Sequence, residues 1–127
     1  MEEFELEYTL EKTLQEMAIN DKKFFSPHYV CAFSGVADLK EVAEFLLSEA
    51  AKKKGQKIYV YYEVECPEGD SDFSVTSPDA VPNNERCCHI CGTKYIPNPD
   101  RIWIGFNFTE KYKEFVKKKE TLQLISQ

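Results

Sequence analysis

Apolar residues near the N-terminus recur every three or four positions, which predicts a helix over about residues 3–19. The positions that define this helix are Leu6, Leu10, Leu14 and Met17. Apolar and other residues also alternate from Phe4 to Leu10, so a short leading strand is an alternative prediction for that segment.

Capping residues mark the predicted ends of two further helices. Ser26 followed by Pro27 is typical of an N-cap and a first-turn proline, and Gly35 supplies a stop. Asp38 can cap a longer helix whose last turn holds three lysines, 52–54, before Gly55. An unbroken apolar stripe of helical period predicts that one side of this helix faces the core. The stripe consists of Leu39, Val42, Ala43, Leu46, Leu47 and Ala50.

Two segments alternate with the period of a strand. The first covers 58–65, where Tyr59 and Tyr61 fall on the less apolar face, and the second covers 102–108. Trp103 falls on the other face of the second strand, and we interpret it as packed against a loop or helix. A loop-rich acidic segment lies between the two strands, and Thr109 caps a last helix.

Composition narrows the class of protein. The chain has 127 residues, 43% of them hydrophobic, which is enough for one compact core or two small modules. No apolar run approaches the roughly 20 residues of a membrane span, and the N-terminus is acidic where a signal peptide is basic. We therefore expect a soluble cytoplasmic protein. The net charge of −6 argues against nucleic acid as a partner.

The cysteines indicate a metal site. Five thiols in a reducing compartment favour free thiols or metal binding over disulfides. In Cys88-x-x-Cys91, the two-residue step directs both sulfurs to one point, and Gly92 tolerates the positive φ of the turn that follows.

The candidate metal ligands are Cys66, Asp70, Cys88 and Cys91. Three thiolates and a carboxylate suit a tetrahedral Zn²⁺ site, and the alternative is a site that has lost its metal. Cys87 or His89 could replace Asp70, although neighbours of a ligand within the turn tend to point away from the metal. A second pair, His28 and Cys31, lies one helical turn apart, and we interpret it as part of the packing.

The segment Ser26–Val42, SPHYVCAFSGVADLKEV, resembles the second helix, turn and third helix of a winged helix-turn-helix domain. The region from Cys66 to Cys91 is similar to a zinc ribbon with a damaged first knuckle. The resemblances imply an α+β fold: a winged-helix-like trihelical module at 1–65, then a small zinc-ribbon-like β insertion with a strand and C-terminal helix at 66–127.

In winged-helix domains the third helix usually enters the DNA major groove, but here that helix is acidic, which disfavours phosphate contact. The resemblance therefore implies a protein-docking module. The candidate partner-binding residues are Lys40, Glu41, Glu44, Tyr59 and Tyr61.

The function predicted from the sequence is non-enzymatic: an adaptor or regulatory module, the N-terminal part of a larger bacterial protein. Its partner would be another protein or a C-terminal effector domain, with no membrane association. Catalytic motifs such as a Gly-rich phosphate loop or His-Glu-x-x-His are absent from the sequence. Two alternatives remain: a DNA-binding regulator that uses Lys52–Lys54 and the lysines at 111–119, and a redox sensor that uses Cys87, Cys88 and Cys91.

Overall fold

A computed structural model shows an α+β protein, with four α-helices and a small antiparallel sheet in residues 2–126. The structure describes the backbone of residues 2–126 and the side chains of residues 2–122. The helices are α1 (Glu3–Ile19), α2 (Pro27–Ser34), α3 (Leu39–Ala50) and α4 (Glu110–Ser126). The strands are β1 (Ile58–Glu65), β2 (Ser71–Val75), β3 (Arg86–Cys87), β4 (Lys94–Tyr95) and β5 (Ile102–Phe108), with a short 3-10 helix at Pro78–Ala80.

The chain forms two compact units. The helical unit comprises Met1–Tyr59 and Phe106–Gln127, and the cysteine unit comprises Val60–Gly105. A three-stranded sheet has the order β2-β1-β5, and β3 pairs with β4 in a separate two-stranded sheet. The mixed α+β class is therefore as predicted, while the winged-helix and zinc-ribbon resemblances stay predictions.

The helical unit has a continuous apolar core, because α1 packs against each of the other three helices. Phe25 joins the strand end to this core: its N–H and C=O both bond to the backbone of Phe106, at 2.9 and 2.8 Å. Its ring also lies 5.0 Å from the ring of Phe108. The core side chains are Leu10, Leu14, Met17, Ala18, Phe25, Val30, Val36, Val42, Leu46, Ile58, Phe106, Phe108, Tyr112 and Val116.

The caps predicted from the sequence are confirmed. Ser26 Oγ accepts from the N–H of Tyr29, and Asp38 Oδ1 accepts from that of Glu41, both at 3.2 Å. Thr109 likewise caps α4, and Gly35 ends α2 with φ +79°. These features were predictable because each cap uses only residues within one helical turn.

Two local predictions are wrong. The segment from Phe4 to Leu10 is helical, so the alternative strand does not form. The lysines at 52–54 lie beyond α3, which ends at Ala50, and Gln56 Nε2 donates to the carbonyl of Ala50 at 3.0 Å. A side-chain amide from outside the helix therefore satisfies this terminal carbonyl.

Candidate metal centre

The four residues predicted as metal ligands lie together in the cysteine unit. Cys66 follows β1, Asp70 precedes β2, and Cys88 and Cys91 lie in the turn between β3 and β4. Their ligand atoms are all within 4.8 Å of one another, and Cys66 Sγ lies 3.7 Å from Cys91 Sγ. The cluster could therefore bind a metal ion.

The turn that holds Cys88 and Cys91 has the geometry predicted for it. Gly92 has φ +77°, and its N–H donates to the carbonyl of Cys88 at 2.8 Å. The N–H of Ile90 points at Cys88 Sγ from 3.4 Å. The backbone N–H groups of Cys91 and Ile90 lower the pKa of the Cys88 thiol, which favours the thiolate that a metal requires.

A second turn presents Cys66 and Asp70. Gly69 has φ +90°, and its N–H donates to the carbonyl of Cys66 at 2.9 Å. The N–H of Cys66 in turn donates to the carbonyl of Asp70, also at 2.9 Å. This closes a tight loop in which the carboxylate of Asp70 faces the same point as the thiol of Cys66. Asp70 is thus the member of the group that could supply an oxygen ligand.

The donor set suits a tetrahedral ion, and one sulfur–sulfur distance matches such a site. With Zn–S bonds of about 2.3 Å, two sulfurs of a tetrahedron lie about 3.8 Å apart, close to the separation of Cys66 and Cys91. Cys66 and Cys88 are buried, Asp70 is half-buried and Cys91 is exposed, so one side of the cluster is open to solvent. The thiol of Cys91 donates a hydrogen bond to Thr93 Oγ1 at 3.2 Å, which helps to orient this candidate ligand.

Neither alternative to Asp70 belongs to the cluster. Cys87 is exposed and pairs with Lys94 across the β3–β4 hairpin. His89 contacts Asp72 instead, since its Nδ1 lies 2.8 Å from Oδ1 of Asp72. Within residues 2–122, the metal-capable group with these cysteines consists of Cys66, Asp70, Cys88 and Cys91.

His28 and Cys31 form no metal-capable group with other described side chains. His28 is exposed on α2 and Cys31 is half-buried. Burial, with a smaller contribution from Asp38, raises the pKa of the Cys31 thiol. This pair is consistent with the packing interpretation.

Asp72 is the polar centre of the cysteine unit, and the sequence reasoning missed it. Its carboxylate is fully buried and accepts hydrogen bonds from the hydroxyl of Tyr95 and from the N–H of His89. Arg86 completes the set as an ion pair, with Nε 2.8 Å from Oδ2 and Nη2 donating to Oδ1 at 3.3 Å. Burial alone would raise the pKa of Asp72, but these partners outweigh it and hold the pKa well below its usual range.

No local pattern marked Asp72, because its partners come from 14 to 23 positions further along the chain. The alternation in β2 favours Phe73 as the buried residue, yet Phe73 is half-buried and Asp72 is buried. The guanidinium of Arg86 lies 4.1 Å from the centre of the Phe73 ring and covers it. One arginine therefore neutralises Asp72 and shields its neighbour.

Glu41 and Glu44 line a groove between α1 and α3 in the helical unit. Glu3 and Glu7 face them from α1, and the groove has a volume of about 510 Å³. The remaining lining residues are Leu6, Phe45 and Ser48. Lys40, also predicted as partner-binding, is exposed on α3 and does not line the groove.

The aromatic residues predicted on the strands differ in exposure. Tyr59 is 41% exposed and accepts a hydrogen bond from Asn107, both in the helical unit. In the cysteine unit, Tyr61 is half-buried and its ring lies on Gly105, where a Cβ would come within 2.4 Å of Tyr61 Cζ. The packed interpretation of Trp103 is wrong, because the side chain is 62% exposed and its indole donates to Glu65.

Comparisons with protein-family models, curated proteins and solved structures found no significant match. None of the helices in the described part of the chain has both the length and the apolar character of a membrane span.

Proposed function

We propose that this protein is a non-enzymatic protein-interaction module. In this proposal a structural Zn²⁺ ion holds the cysteine unit together, and the helical unit docks a basic amphipathic helix of a partner protein. The groove between α1 and α3 carries the docking half of the proposal, because two predicted partner-binding residues line it together with two further carboxylates.

Zinc is the metal that suits the donor set. Thiolates are soft ligands that select zinc over magnesium or calcium, and Zn²⁺ accepts one carboxylate in a tetrahedral shell. Cys66 and Cys88 are two of the few buried side chains in this unit, and with Tyr95 they form its buried cluster. An ion at this point would link the loop after β1 to the β3–β4 turn, which is a structural role.

The zinc content of the purified chain tests the metal-binding half of the proposal. We expect about one Zn²⁺ per chain in the wild type and at least a tenfold loss of affinity in Cys88→Ser, which removes a buried thiolate ligand. Cys87→Ser, one position away, and Cys31→Ser are matched controls that should keep the metal. Equal zinc content in Cys87→Ser and Cys88→Ser would contradict the assigned ligand set.

The chemistry of the groove favours a basic amphipathic helix as occupant. Four carboxylates surround Leu6 and Phe45, which are both half-buried. An amphipathic helix can place an apolar stripe on Leu6 and Phe45 while its lysines or arginines meet the glutamates. Complementary charge of this kind increases the association rate and selects against acidic partners.

A model peptide tests the docking half. A helical peptide of leucine and lysine should bind the wild type, and its leucine–glutamate counterpart should not, as measured by fluorescence anisotropy at low ionic strength. We expect Glu41→Lys with Glu44→Lys to weaken binding at least about tenfold, since like charges then face each other.

The matched control carries the same change in net charge elsewhere. Glu114 and Glu120 are exposed on α4 and lie outside the groove. Reversing both to lysine should change the affinity by less than about threefold, because screening limits distant exposed charges. If the two double variants weaken binding equally, peptide affinity depends only on the net charge of the protein. The groove is then not the docking site.

A further inference from the structure

A second cleft of the helical unit has the opposite electrostatic character. It lies between the segment after α3 and the first turns of α4, and its volume is about 470 Å³. Three lysines line it: Lys53, Lys57 and Lys111. No carboxylate is among its described lining residues, although the chain as a whole carries a charge of −6.

Two of these lysines have no internal counter-charge. Lys53 and Lys111 are exposed, and neither forms an ion pair with any side chain that the structure describes. Lys57 is more enclosed and is compensated by two carboxylates, Glu11 Oε1 at 3.9 Å and Glu49 Oε2 at 4.0 Å from Nζ. The uncompensated charge of the cleft comes from Lys53 and Lys111. The cleft therefore has a positive potential that an anion can satisfy.

The cleft also offers aromatic surface. Phe115 lines the cleft and is 59% exposed, so its ring is accessible to a ligand. Tyr112 is buried on the adjacent turn, and burial, with the charges of Glu11 and Glu49, raises its pKa to about 12. Its hydroxyl is therefore neutral at physiological pH and adds no negative charge beside the lysines.

We propose that this cleft binds a nucleoside phosphate, with the phosphate between Lys53 and Lys111 and the base on Phe115. The volume falls within the range of about 300–1,000 Å³ typical of small-molecule sites. Lysines supply point charges for phosphate, and an exposed aromatic ring stacks on any base. The site is independent of the acidic groove and of the metal cluster.

Titration calorimetry of the full chain with AMP, adenosine and inorganic phosphate tests the proposal. We expect AMP to bind saturably and more tightly than either fragment, since only AMP uses both the lysines and the ring. Lys53→Ala with Lys111→Ala should weaken AMP at least about tenfold, because it removes two charge-assisted contacts. Phe115→Ala should weaken AMP but leave phosphate unchanged.

The matched control is Lys54→Ala with Lys118→Ala, which removes one exposed lysine from each of the same two segments outside the cleft. This control should retain AMP binding within about threefold, because neither side chain lines the cleft and exposed charges that do not contact a ligand contribute little to its affinity. No saturable AMP binding at low ionic strength would overturn the proposal. Equal losses in the two double variants, or phosphate binding as tight as AMP, would overturn it as well.

Discussion

In the helical unit, Leu10, Leu14 and Leu46 are completely buried and belong to a core drawn from all four helices and the adjoining strand ends. In the cysteine unit, the fully buried side chains include Val64 and Cys66, and the carboxylate of Asp72 takes a central place. A unit as small as Val60–Gly105 buries little apolar surface, and it is only slightly larger than the size of about 40 residues below which domains usually need metal, disulfides or oligomerisation. Apolar packing therefore stabilises the helical unit, whereas in the cysteine unit polar bonds, and the metal ion in our proposal, would carry more of that role.

Removal of the proposed Zn²⁺ should give the largest difference between the two units. Structural zinc contributes on the order of 10 kcal/mol to the folding of small domains. With a chelator present, we expect amides of 60–105 to lose protection from hydrogen exchange while α1 and α3 keep theirs. Mass spectrometry of the intact chain, digested after exchange, reports both units in one sample. Unchanged protection of 60–105 after complete metal removal would falsify the assigned structural role.

Truncation of a core side chain should have the opposite effect: it should destabilise the helical unit and leave the cysteine unit unchanged. Leu46 is 0% exposed on α3, so Leu46→Ala should cost about 2–5 kcal/mol of unfolding free energy in the helical unit. Leu47 is 41% exposed on the same helix and provides the control, for which we expect a loss below about 1 kcal/mol. Zinc content should stay the same in both variants. A loss of zinc in Leu46→Ala alone would show that the two units unfold together.

The buried carboxylate of the cysteine unit offers a finer test of the same contrast. Asp72→Asn keeps the shape but removes the charge that Arg86, His89 and Tyr95 contact. Hydrogen bonds to charged groups contribute about 1.5–3 kcal/mol each, so we expect a loss of about that size in urea unfolding. Asp79→Asn, at an exposed position of the same unit, should change stability by less than about 0.5 kcal/mol. Equal stability losses at both positions would show that the buried charge of Asp72 makes no special contribution to the stability of the cysteine unit.

The sequence predicted those features whose causes lie close together along the chain. Helix ends followed from Ser26 and Asp38, because a cap bonds a residue three positions away. The proximity of the four candidate ligands followed from turn chemistry around Cys88 and Cys91, together with strands that bring Cys66 to the same point.

Features that depend on distant partners were not predictable. Asp72 lies in a short strand with no polar pattern to mark it, yet it is buried. Its carboxylate is contacted from 14 to 23 positions further along the chain, by Arg86, His89 and Tyr95. Trp103 is exposed, and its indole donates to Glu65, which lies on another strand. In each case the deciding contact joins segments whose pairing no local pattern specifies, so periodicity assigns the residue to the wrong environment.

The smallest expected effect tests whether the helical unit responds to a purely local change. Asp38→Ala removes the bond that caps α3 and should cost about 1 kcal/mol of unfolding free energy. Lys40→Ala, two positions further on an exposed face, should cost less than about 0.5 kcal/mol. Thermal unfolding at fixed pH compares the two variants, and zinc content should match the wild type in both. Because the cap lies far from the cysteines in sequence and bonds only within its own helix, any change in metal binding would mean that the units are energetically coupled. In that case, the division between apolar and metal-based stability would have to be given up.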